Sequence, residues 1–106
     1  MNKQEEFTHY YTQMKQALLV QGKSKGTIKS YLGHLRRANG HLEVKLSELT
    51  SKLLQQYFAN LLELKLSWST VKIAIASLKF LFRYVLHREF EWLEIVRPPH
   101  IQTLPD

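Results

Sequence analysis

Two rows of cations at helical spacing carry the chemistry of this sequence. Lys72, Ala76, Lys79 and Arg83 recur at i, i+4, i+7 and i+11, and Lys25, Lys29 and Arg36 share a second such strip, with Gly33 in the missing turn. Neither row has the i,i+4 acidic partners of an ordinary solvated helix, so each repels itself unless an anion offsets it. The small residue in each row, Gly33 or Ala76, permits close approach by a backbone or a groove wall. A second signal repeats within the chain. Ser24-Lys25-Gly26-Thr27-Ile28-Lys29 and Ser67-Trp68-Ser69-Thr70-Val71-Lys72 share the pattern Ser-x-x-Thr-(Ile/Val)-Lys at the start of a helical stretch. A capping box would place Glu or Gln where these Thr residues stand, and a Lys in the first turns is mildly unfavourable against the helix dipole. That cost makes sense if amides, hydroxyls and Lys together hold phosphate oxygens at a helix N-terminus. Solubilising lysines on a bare surface are the alternative reading.

The distribution of acids sharpens the pattern. Fifteen Lys and Arg against nine Asp and Glu give a net charge of +6 over 106 residues, a balance that favours polyanionic partners. From Phe7 to Leu42, and again from Leu64 to Arg88, there is no Asp or Glu, while Lys15, Lys23, Lys25, Lys29, Arg36 and Arg37 fill the first window and Lys65, Lys72, Lys79, Arg83 and Arg88 the second. Two helices therefore share a positive surface.

Enzymatic chemistry is poorly supported. His9, His34, His41, His87 and His100 are scattered without metal-ligand spacing, and the absence of cysteine excludes thiolate zinc sites, disulfides and a cysteine nucleophile. Glycine-rich phosphate loops and a GxSxG elbow are missing. Glu89, Glu91 and Glu94 read as an exposed cluster ending a helix. No catalytic residue, metal or cofactor is expected. No apolar run approaches the roughly 20 residues of a membrane span, and the polar start lacks a signal-peptide core. A cytoplasmic protein, neither secreted nor membrane-bound, is the expectation.

Positioning these rows requires helices. The length suits one domain, 44% of residues are hydrophobic, and residues 41–97 hold neither Gly nor Pro. A first helix is predicted from about Glu5 to Gln21, with Phe7, Tyr10, Tyr11, Met14, Leu18 and Val20 inward and Glu5 and Glu6 at its positive end. Ser24 caps a second, with Ile28, Tyr31, Leu32 and Leu35 buried and Asn39-Gly40 as its stop. After a short extended connection, Thr50 caps a third, with Leu53, Leu54, Tyr57, Phe58, Leu61 and Leu62 inward. Ser67 caps a fourth, whose long stripe through Val71, Ala74, Ile75, Leu78, Leu81, Phe82, Val85 and Leu86 makes it the central helix. A further turn is expected near Trp92-Leu93, and the proline-bearing tail from Arg97 reads as an extended linker. No segment alternates as a strand does. The fold class is all-α: a compact four-helix bundle over residues 1–96, with a linker at 97–106. Tyr10, Tyr11, Tyr31, Tyr57, Phe58, Phe82 and Trp92 are core side chains in this reading.

These features resemble the N-terminal SAM-like, or core-binding, domain of tyrosine recombinases, the phage-integrase class. The likeness rests on the first-helix aromatics, Ser24-x-x-Thr27-Ile28-x-x-Tyr31-x-x-x-Leu35, Leu46-x-x-Leu49-Thr50, Ser67-x-x-Thr70-Val71, Leu78-Lys79-Phe80-Leu81-Phe82 and Arg97-Pro98-x-x-x-x-x-Leu104-Pro105. Phe80 to Leu86, Trp92-Leu93 and the tail look most like the integron-integrase branch. The resemblance implies a DNA-binding arm that clamps a recombination site together with a C-terminal catalytic domain, alongside other recombinase protomers, with the second and fourth helices at the major groove. Carried over by position, Lys25, Thr27, Lys29, Ser30 and Arg36 on the second helix and Ser69, Thr70, Lys72, Ile73 and Ala76 on the fourth would meet phosphates and bases. Lys79, Arg83 and Arg97 would reach backbone. The family's tyrosine nucleophile belongs to the catalytic domain, so this fragment alone should not cut DNA. The short Ala38-to-Leu49 connection departs from the family pattern.

Three other readings compete. A helical protein-interaction module is the main one, because fold does not fix function. A helix-turn-helix repressor would need a tighter turn and a dimer face. A membrane-surface helix conflicts with the apolar stripes beside the basic rows, which a soluble core needs.

Overall fold

The computed structural model describes residues 1–88. Four helices form the architecture: α1 (Lys3–Val20), α2 (Lys25–His41), α3 (Ser51–Glu63) and α4 (Trp68–Tyr84), with a 3-10 turn at Leu46–Glu48. No strand occurs among the described residues. The expected turn at Trp92-Leu93, Arg97 and the linker lie outside them.

Local chemistry starts each helix. Asn2 and Glu5 form a reciprocal capping box at α1, while Ser24, Thr50 and Ser67 each accept the backbone N–H three residues on, at α2, α3 and α4. Apolar stripes then decide the packing. Met14 and Leu18 of α1, Leu32 and Leu35 of α2, Leu54, Tyr57 and Phe58 of α3, and Val71, Leu78 and Leu81 of α4 make one core. The fourth helix packs against the other three, as the length of its stripe predicts. Tyr57, Phe58 and Phe82 are buried, and Tyr10, Tyr11 and Tyr31 pack against the core from its edge.

Three boundaries differ from the sequence reading. Asn39-Gly40 does not stop α2, which continues to His41. Lys3 Nζ of α1 donates to the Asn39 and Leu42 carbonyls, and Leu42 is buried; both compensate for the glycine. The connection that was expected to be extended contains the 3-10 turn, which buries Leu46 beside the equally buried Leu49. Helix α4 ends at Tyr84 rather than Leu86, and the chain reverses through His87 at φ 55°. Val20, expected on the inner face of α1, is 86% exposed.

Two polar latches brace the bundle. Glu6 is buried; its carboxylate accepts from the Ser47 N–H at 3.1 Å and hydroxyl at 2.6 Å. Arg88 donates to the Ser47 and Leu49 carbonyls and lies over the Phe82 ring. Arg88, though it falls in the second acid-free window, is therefore committed to structure.

Candidate nucleic-acid interface

Helices α2 and α4 are fixed against each other by Ser77, fully buried on α4, whose hydroxyl donates to the Tyr31 carbonyl of α2 at 2.7 Å. Tyr31 also meets Phe80 edge-on, with ring centroids 6.0 Å apart. This junction sets the spacing of everything on the shared outer surface.

The repeated Ser-x-x-Thr pattern produces the same geometry twice. In each, the Ser oxygen accepts the Thr N–H, and the two hydroxyls are bonded to each other at 3.0 Å for Ser24–Thr27 and 3.1 Å for Ser67–Thr70. Ser24 donates in the first pair, which leaves the Thr27 proton available to an outside acceptor. Each Thr hydroxyl pairs with the capping Ser hydroxyl rather than with the Ser N–H that a capping-box Glu would take, and it adds no negative charge to the surface.

On α4, Lys72, Lys79 and Arg83 are exposed and Ala76 is half-buried between them; Ser69 and Ile73 are exposed as well. The Arg83 guanidinium lies 5.4 Å over the Tyr84 ring. On α2, Lys25, Lys29 and Ser30 are exposed. Arg36 is different. Its guanidinium donates to the Tyr11 hydroxyl at 3.3 Å and sits 5.6 Å over that ring, so it is tied to α1.

Shallow grooves follow the α2–α4 seam. One is lined by Lys29, Ser30, His34, Arg37 and Thr70, a neighbour by Ser24, Thr27, Ser30 and Ile73, and a third by Lys23, Ala76, Lys79 and Arg83. Ser30 therefore belongs to two grooves, where Thr27, Lys29 and Ser30 of α2 meet Thr70 and Ile73 of α4, whereas Lys25, Ser69 and Lys72 are exposed outside these grooves. The sequence reading counts Lys23 and Arg37 only in the acid-free window, and His34 only as a scattered histidine; the grooves add all three to the surface. Ser30, His34 and Arg37 recur at i, i+4 and i+7, a legible signal once α4 is known to lie on that side of α2.

Burial lowers the His34 pKa, and the nearby Arg37 cation lowers it further. Burial raises the phenol of Tyr57, partly opposed by Arg37; burial and the Glu6 carboxylate raise that of Tyr10, partly opposed by Arg88. Both phenols are thereby held protonated rather than activated. Among the described residues no group of His, Asp or Glu is placed to hold a metal ion, and no helix is long and apolar enough to cross a membrane.

A small all-α domain with an acid-free basic seam between two capped helices is the class of protein that fold and site define. Residues 10–92 match the family described as phage integrase, N-terminal SAM-like domain. The chain belongs to that family. Neither a curated protein nor a solved structure matches it.

Proposed function

We propose that the domain is the DNA-binding arm of a site-specific tyrosine recombinase, with α2 and α4 set against the major groove and its flanking phosphates. The observation that carries this reading is the seam itself: two acid-free helices, joined by Ser77, whose caps and cations Lys25, Lys29, Lys72, Lys79 and Arg83 face outward. Membership of the integrase family supports it. In this reading a catalytic domain, carrying the tyrosine nucleophile, follows the linker that includes Arg97, and protomers assemble on the recombination site in the bacterial cytoplasm. The order Phe80 to Leu86, with Trp92-Leu93 and the Leu104-Pro105 tail, supports the integron-integrase branch in this reading.

Titrating duplex and hairpin DNA into the isotope-labelled chain at two salt concentrations tests the proposal. Amide shifts concentrated in residues 23–37 and 67–83, weakening with salt, are the expected result. With about five phosphate contacts, log K should fall against log salt with a slope of roughly −4 to −5. Shifts that are absent or scattered would reject the DNA arm in favour of a helical protein-interaction module.

Gly33 gives a second test with opposite signs. A Cβ added there meets nothing within 4 Å, so packing does not require the glycine. Gly33→Ala should therefore stabilise the helix by about 0.5–1 kcal/mol and raise the melting temperature by roughly 2–8 °C. The same methyl group stands between α2 and a groove wall in the proposed complex, so DNA affinity should fall several-fold. Calorimetry and a binding isotherm on one sample read both effects.

A further inference from the structure

The groove lined by Lys29, Ser30, His34, Arg37 and Thr70 combines three nitrogen groups able to carry positive charge with two hydroxyls and contains no carboxylate. We propose that this groove seats one phosphodiester group of bound DNA and that His34 joins it as the imidazolium, so that binding takes up a proton. The inference rests on the DNA-binding reading above and adds a defined seat and a proton to it.

His34 is half-buried in the groove wall, and among the described residues no hydrogen bond engages its ring. In the free domain, burial and the Arg37 cation lower the pKa of that ring and so favour its neutral form. A phosphate in the groove reverses the balance, because it offsets Arg37 and favours the charged ring. Ser30 and Thr70, from the two facing helices, do not titrate across about pH 5–8. Among the lining side chains the imidazole alone changes charge in that range. The bound-state pKa therefore lies above the free one. The extra affinity is fully present below the free value and is lost as pH rises through the bound value.

The test follows the imidazole resonances of the whole 106-residue chain from about pH 5 to 8, free and saturated with duplex DNA, at fixed ionic strength. The His34 pKa is expected to rise by about one unit on binding, a linkage of tenfold at its limit. Duplex affinity of the unaltered protein should increase several-fold from about pH 7.5 to 5.5, toward that tenfold limit, and His34→Gln should lack the increase. A His34 pKa unchanged by DNA, with amides of α2 and α4 still shifting, overturns the inference and leaves the DNA reading intact. No amide shift anywhere overturns both. The titration of the unaltered protein decides the matter even where His34→Gln folds poorly.

Discussion

Reversing two charges on α4, Lys72→Glu with Lys79→Glu, is expected to reduce DNA affinity by about 100-fold or more while leaving the fold unchanged. Both side chains are exposed, one on each side of Ala76 on a surface free of acids. Each substitution removes a phosphate partner and sets a carboxylate against the DNA backbone, so the pair changes the surface by four charges and reduces the salt slope by about two. Stability should change little, since exposed positions away from caps and core generally alter it by about 0.5 kcal/mol or less. The introduced acids fall beyond the first turn of α4, which starts at Trp68, so their effect on the dipole is small. Fluorescence anisotropy with a labelled duplex, alongside circular dichroism, separates the two outcomes. Retained affinity in a folded double variant would show that α4 does not face DNA.

Arg36 and Arg37 show where the sequence stops being readable. Phase along α2 identifies an outer strip, but adjacent residues are about 100° apart, and which flank α4 occupies is a tertiary fact. Tyr11 draws Arg36 toward α1, whereas Arg37 lines the groove with Thr70. Phase alone does not tell which of the two arginines lines that groove. Local signals fared better. Ser24, Thr50 and Ser67 all cap as expected, because capping involves residues three apart. The end of α2 was misplaced for the opposite reason: the lysine that compensates for Gly40 comes from Lys3, at the start of α1. Arg88 was counted with a positive surface because nothing local reveals its partners, Ser47 and Leu49, about forty residues earlier in the chain. The two hydroxyl pairs at the caps were legible as a pattern, but the bond between each Ser and Thr was not.

Leu78→Ala is expected to cost about 2–5 kcal/mol of folding stability and to leave the DNA-facing chemistry in place. Leu78 is 1% exposed in the α4 stripe that serves the common core. Deleting its branch removes apolar burial and leaves a cavity that Ser77 prevents from collapsing freely, since its hydrogen bond to Tyr31 holds α4 against α2. A domain of this size is stabilised by roughly 5–15 kcal/mol in total, so the variant loses a large fraction of its margin. Urea unfolding should show the loss as a lower midpoint with an unchanged slope. The neighbouring residue makes the contrast useful. Lys79 is one position along the helix but points outward, so Lys79→Glu should weaken DNA binding without moving the midpoint. Leu78→Ala should move the midpoint while the protein that remains folded binds DNA with near-normal affinity. If both substitutions instead changed stability alone, the basic row would be only a solvated face, and the proposed interface would have to move to another surface of the bundle.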